Sequence, residues 1–328
     1  MKKTLLTLVL AFFCLSSFAQ LLPDGSVQIV AYWDKGDVFK YQSVERQERT
    51  DTKGETSLIK SNSETFVLSV VEQTDSTYTL VADYKDGFYS DTRFAGYSDF
   101  LSGFEFTPLR VVTNQLGTVI GFENTDVIIN ETKEIIPKLV DETFKQFDKK
   151  DLEQLDREAT IQYFTSILAT PEIVLSDFNE DGGLLLQYHG VKFDTSQVYT
   201  VSVPFTLKGQ NPVPMDVDIW VDSAETDSTY AYIHSHGHLG MDKLGSTLSS
   251  YIGEIASSMY KDVSEETVKE KAKFDEGSVD QYSLVVVHLP SGCPVQLETM
   301  LIIEITSNGE TEQSRKTKSI KLIVDETQ

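Results

Sequence analysis

Cysteine is nearly absent from this chain, with two in 328 residues, Cys14 and Cys293. Cys14 lies in an N-terminal apolar run and Cys293 in the turn Pro290-Ser291-Gly292-Cys293, so a disulfide-stapled fold is excluded and stability must come from a core. The turn thiol reads as inert, set against a reactive thiol or an intermolecular link. Basic residues are scarce as well: 28 Lys and Arg face 51 Asp and Glu, for a formal charge of −23. That field opposes phosphate backbones and anionic lipid surfaces, so nucleic acid is not an expected partner. Catalytic templates are missing: the chain holds no Gly-x-Ser-x-Gly elbow, no His-Glu-x-x-His helix and no phosphate loop. Ser57-Leu58-Ile59-Lys60 spells Ser-x-x-Lys, but on a strand, where i and i+3 point to opposite faces. No cofactor is expected.

Long apolar runs are confined to the first twenty residues. Lys2 and Lys3, the run Leu5 to Phe13, and Ser17-Phe18-Ala19 form the pattern of a signal peptide cut after Ala19. Its loss would remove two lysines and take the formal charge from −23 to −25. Cys14 follows Phe12 and Phe13 where a lipid-bearing cysteine needs small residues before it, so a lipid anchor is not expected. No other window approaches the ~20 apolar residues of a spanning helix. The expected locale is periplasmic or extracellular, with residues 20–328 as a single α+β domain or, alternatively, two tandem α+β domains divided near residue 170.

What is present is mainly strand periodicity. In the stretch Val279 to Val324, Val295, Leu297, Leu301, Ile303 and Ile305 alternate with Gln296, Glu298 and Glu304, and Asn308-Gly309 supplies a hairpin turn. Three long antiparallel strands with one wet side follow. The segment Asp34 to Tyr84 predicts another three-strand meander, and residues 107–122 a further hairpin turning at Asn114-Gln115-Leu116-Gly117. The period then becomes helical. Ile136, Val140, Phe144 and Phe147 share one side of a helix bent at Pro137. A second helix is predicted from Asp151, with Gln154 in a capping box, through Leu155, Ala159 and Tyr163 to Ala169. Strands return over 184–188, 198–208, 213–222 and 229–236, followed by an amphipathic helix carrying Leu248, Tyr251, Ile252, Ile255 and Met259 and a short helix from Asp262.

Strands, helices, strands, helices, strands, without βαβ alternation, predict an α+β fold: a long curved antiparallel sheet, a half-barrel, covered by helices on its concave side. The helices centred on Phe144, Tyr163 and Ile255 are the expected cover.

Three stretches carry a resemblance: Lys35-Gly36-Asp37-Val38-Phe39-Lys40-Tyr41, Asn114-Gln115-Leu116-Gly117-Thr118-Val119-Ile120 and Leu289-Pro290-Ser291-Gly292-Cys293-Pro294. In these the chain resembles a secreted-protein family of Bacteroidota. The layout of that family is similar in turn to the LolA/LppX-like half-barrel lipoprotein carriers. The resemblance implies a sheet that holds helices, and in some members a lipid, in its hollow. It carries no binding residue across, because the matching motifs are turns.

Candidate chemistry is sparse. His234, His236 and His238 alternate along one strand face with Tyr230 and Tyr232, a spacing that lets neighbouring imidazoles share zinc, although Gly237 argues that the strand is ending there. Asp177-Phe178-Asn179-Glu180-Asp181-Gly182-Gly183 opens like a calcium loop but has Tyr188 where the bidentate Glu belongs, so a solvated Asx-rich turn is expected. His189 and His288 read as single strand histidines that are packed or at the surface. The aromatic run with Phe94, Tyr97, Phe100, Phe104 and Phe106, together with Tyr251, Ile255 and Met259, could line an apolar cavity, with ordinary core as the alternative. The resulting expectation is an exported, non-enzymatic binding or carrier protein for a lipid-like ligand. Two alternatives stand beside it: an envelope interaction or structural component, and a metal-dependent enzyme built on the three histidines.

Overall fold

β-branched and aromatic residues at period 2 make most of this chain extended, and the strands they form are long enough to curl. The computed structural model describes residues 21–89, 107–145, 156–206, 212–240, 243, 276–307 and 309–324. Five strands come first in the large sheet: β2 (Val38–Thr50), β3 (Thr56–Gln73), β4 (Thr77–Tyr89), β5 (Leu109–Asn114) and β6 (Val119–Phe122). Six more follow the helices: β8 (Val198–Phe205), β9 (Val213–Val221), β10 (Tyr230–Gly240), β11 (Glu276–His288), β12 (Cys293–Ser307) and β13 (Glu310–Leu322). All eleven form one antiparallel sheet in the order β6-β5-β4-β3-β2-β13-β12-β11-β10-β9-β8. It is the expected half-barrel, α+β and sheet-dominated, and it does not close into a barrel.

The seam is the pairing of β2 with β13, in register Ile320↔Ser43 and Lys318↔Glu45. It joins strands from before residue 170 to strands from after it. Gly309 has φ 76°, as a tight turn between β12 and β13 requires; Asn308 lies outside the described residues.

One face of the sheet is covered, though by other segments than the spacing predicts. Helix α1 (Thr125–Phe144) buries Ile129, Ile136 and Val140, contains Pro137 without ending there, and leaves Phe144 half-buried. Helix α2 (Arg157–Leu168) buries no side chain, and Tyr163 is 63% exposed, which corrects its expected role as cover. It rests on α1 through a two-pronged ion pair from Arg157 to Asp141, at 2.7 and 3.0 Å. Its cap is Asp156, accepting from the amides of Glu158 and Ala159. Asp151, Gln154, Phe147, the aromatic run 94–106 and the predicted helices over 246–274 lie outside the described residues.

The covering plug is a segment predicted as loop and strand. After α3 (Pro171–Val174) comes α4: a helical start at Ser176–Phe178, a π-turn at Asn179–Gly183 and a helical end at Leu184–Leu186. Phe178, Leu185 and Leu186 are buried in the main core. Consecutive leucines favour helix over strand once both neighbours are buried, since Leu is not β-branched and alternation is lost. Gly182 is required there: a Cβ would stand 2.4 Å from the Phe178 ring and 2.9 Å from Phe66. The expected Asx turn at 177–183 is therefore a packed π-turn, and the expected strand 184–188 is helix followed by turn.

A second strap completes the cover. β1 (Ser26–Gln28) pairs with β7 (Lys192–Asp194), and the alternating Val27, Ile29, Ala31 and Trp33 all point into the core. Gly292 lets this strap cross closely, for a Cβ on it would fall 1.9 Å from the carbonyl oxygen of Val30. Gly237, expected to end its strand, instead lies within β10. Its bare backbone makes room for Met215 and Val217, whose side chains would meet a Cβ at 2.9 and 3.0 Å.

Candidate functional site

The opposite face of the sheet has no cover among the described residues, and its registers place side chains in rows across six strands. One row reads Trp220 (β9), His234 (β10), Leu284 (β11), Glu298 (β12), Ser319 (β13) and Val44 (β2). The next reads Asp218, His236, Tyr282, Met300, Thr317 and Arg46. Between them lies a groove of about 840 Å³ with an apolar floor of Val44, Trp220, Tyr282, Leu284 and Met300. Arg46, Arg315 and Lys321 stand at its β2–β13 side, with Lys321 paired to Glu298 at 3.2 Å. Six strands spaced by ~4.8 Å give the row a length of about 24 Å.

These groove residues were not singled out from sequence, yet β12 carries a signal. Met300 and Ile302 fall on the face that Gln296, Glu298 and Glu304 mark as wet. Apolar residues of both parities in one strand mean that neither face is simply solvent-facing.

The three histidines do share this face, as their spacing predicts, but they form two groups. The ring of His234 stacks on Trp220, centroids 5.4 Å apart and planes at 9°. The ring of His236 stacks on Tyr282 at 4.4 Å and 2°. Nε2 of His236 and Nδ1 of His238 both reach Oδ1 of Asp280, at 3.1 and 2.9 Å. Burial pushes the Asp280 carboxyl up, and the two imidazoles outweigh it, leaving its pKa below the usual value. His234 instead faces Asp222 and Glu225, one ligand atom from each of the three lying within 4.8 Å of the others.

On the covered face, α4 sets a buried ionic cluster against the seam. Lys318, 9% exposed, forms an ion pair with Asp181, which is 1% exposed, and lies 3.9 Å from Glu180. Lys316 and Lys60 bind Glu45 at 2.9 and 3.4 Å. Burial raises the pKa of Asp181 despite Lys318, and burial with the nearby Glu180 raises that of Asp177. Burial, then the charge of Asp181, lifts Glu64 to about 7. Burial also acts upward on Glu45, but Lys316 prevails and its pKa falls. The seven-residue match to a calcium loop is thus a helical element, two of whose acids, Glu180 and Asp181, face one lysine of the sheet, Lys318. A polar cavity of about 280 Å³ lies among these groups.

The remaining sequence candidates resolve individually. Phe94, Tyr97, Phe100, Phe104, Phe106, Tyr251, Ile255 and Met259 lie outside the described residues. Ser57 and Lys60 do lie on a strand, β3. His189 is in the turn after α4 instead of on a strand; it is buried, its Nε2 lies 2.8 Å from the Gly292 carbonyl, and burial lowers its pKa to about 4. His288 is half-buried beside Ser291, 2.8 Å from its hydroxyl. The Cys293 thiol is buried beside Tyr41, and burial raises its pKa to about 11, which removes thiolate reactivity at neutral pH. Among the described residues no helix is long and apolar enough to cross a membrane.

No protein-family model matches the chain, and no curated protein matches it. Among solved structures the chain is similar to one described as lipid–protein interactions in lipovitellin, at 8% identity and a TM-score of 0.40, over 89% of this chain and 25% of that one. This chain thus spans about a quarter of the length of that protein.

Proposed function

We propose that the protein is a non-enzymatic binding or carrier protein for an apolar or amphiphilic, lipid-like ligand, acting in the periplasm or outside the cell once residues 1–19 are removed. The carrying observation is the groove of about 840 Å³ on the sheet face opposite α4, floored by Trp220, Tyr282, Leu284 and Met300. Its size falls in the range of ligand sites, and an apolar floor beside a few placed polar groups is their usual chemistry. Arg46, Arg315 and Lys321 at one side favour an anionic head group, which complements them in a chain that is otherwise strongly acidic.

Native mass spectrometry of protein purified without detergent should show a bound amphiphile, and a long-chain fatty acid should quench Trp220 fluorescence saturably. Leu284→Glu sets a charge on the apolar floor, and it should weaken binding by about ten-fold or more, since burying an unpaired charge costs well over 1.4 kcal/mol. Binding unchanged in Leu284→Glu and Met300→Glu would dispose of the groove as the ligand site. A stable heterologous partner with no bound amphiphile would favour the interaction role instead.

A further inference from the structure

The separation of His234 from the other two histidines points beyond the amphiphile groove. Asp222 follows the last residue of β9, Glu225 sits in the β9–β10 connection and His234 is on β10, opposite Trp220. The connection is rigidly tied: the Asp222 amide donates to the Tyr232 carbonyl at 2.9 Å, and the Tyr232 amide donates to the Thr226 hydroxyl at 3.1 Å. Oδ1 of Asp222 accepts from the amides of Ala224 and Glu225 at 2.9 and 3.3 Å, which orients that carboxylate and leaves its second oxygen available. Stacking on Trp220 holds the imidazole plane. Nε2 of His234 is shut away from solvent and has no hydrogen-bond partner.

The imidazole therefore combines a buried nitrogen without a partner and two carboxylates of the β9–β10 connection close to its ring. Buried polar atoms are nearly always hydrogen-bonded, so an orphan needs a reason. His236 and His238 offer a contrast on the same strand, since a nitrogen of each is engaged by Asp280. We propose that Asp222, Glu225 and His234 form a binding site for a first-row divalent metal ion such as zinc, at the Trp220 end of the open sheet face. One imidazole and two carboxylates are a ligand set for zinc or manganese and not for calcium, which takes oxygen alone. Bonds of about 2.0–2.2 Å require the three ligand atoms to draw together by at most about 1.5 Å, within reach of the exposed Glu225 side chain. Water completes the coordination. The site borders the groove, sharing His234 and Trp220 with its lining, while Asp222 and Glu225 come from the β9–β10 connection beyond it.

The test is zinc titration by calorimetry on the tag-free full chain, with Trp220 fluorescence as a second readout. One saturable site of micromolar affinity or better is expected, with a fluorescence change that disappears in Trp220→Phe while the heat remains. His234→Ala and Glu225→Gln should each weaken binding by about ten-fold or more, at least what loss of supporting residues costs at known sites. His236→Ala/His238→Ala should bind as the parent does. Glu225 is exposed, so its variant reports on binding without endangering the fold. No saturable binding, or binding lost in His236→Ala/His238→Ala and kept in both His234→Ala and Glu225→Gln, overturns the assignment.

Discussion

Lys318 and Asp181 show how one residue pair couples the plug to the seam. Both are nearly excluded from water, so removing either side chain takes away the ion-pair partner of the other. Lys318→Met leaves Asp181 uncompensated, and urea unfolding should show a loss of about 3–5 kcal/mol. Lys318→Met/Asp181→Leu removes both charges and should recover most of that loss; a double variant as unstable as the single would refute the pairing. Glu64 adds a pH dependence of known sign. Folded, it keeps its proton to about pH 7, against an ordinary value of 4.5. Between those values the folded chain holds a proton that the unfolded chain has released, so stability falls as pH rises through that window. His189 works the other way: its folded pKa is about 4 against 6.5, so stability falls as pH drops from 6.5 toward 4. In Glu64→Gln only the second trend of the two remains, and its melting temperature should climb more steeply than the parent's from about pH 5 to about pH 7.

Among the elements, α2 and α4 exchange the roles that hydrophobic spacing suggests. A stripe of Leu155, Ala159 and Tyr163 reads as a core face, yet α2 buries no side chain fully, is tied to α1 by the Arg157–Asp141 ion pair and exposes Tyr163. The π-turn of α4 reads as solvated because it is rich in Asp, Asn and Gly, yet it sits against Phe66. Thermal unfolding separates these assignments. Tyr163→Ser should alter stability by no more than about 0.5 kcal/mol, as an exposed substitution does. Gly182→Ala should cost about 1–3 kcal/mol, because rigid rings of Phe178 and Phe66 occupy the space its methyl needs. If both are neutral, α4 is not the plug.

The large sheet is held as one by the β2–β13 seam, which brings residues 41–50 against residues 313–322. The two tryptophans lie on either side of it in the sheet order, Trp33 in the strap packed against Tyr78 of β4 and Trp220 on β9. Single-tryptophan variants should therefore unfold in urea with coincident midpoints, the mark of a two-state transition. Ile320→Ala, in the seam and fully buried, should shift both midpoints together by about 2–5 kcal/mol. Separate midpoints would mean that the two meanders fold apart. Much of this architecture was legible in advance: period 2 alternation located the large-sheet strands, and Asn308-Gly309 announced the last hairpin. Alternation is a local consequence of side chains pointing to opposite faces, so it survives in sequence alone. Pairing is not local. Nothing in Lys318 or Asp181 as residue types says that they meet, and nothing in Trp220, Leu284 or Met300 says that six strands align them into one groove. Even the histidines, correctly placed on one face by spacing, were divided into a stacked His234 beside Asp222 and a pair sharing Asp280 only by strand register and the β9–β10 turn. The residue pattern by itself determined which segments extend and which face of each is apolar. Tertiary structure decided what covers one face and, among the described residues, leaves the other open, because that depends on contacts between residues far apart in the chain, where local periodicity carries no information.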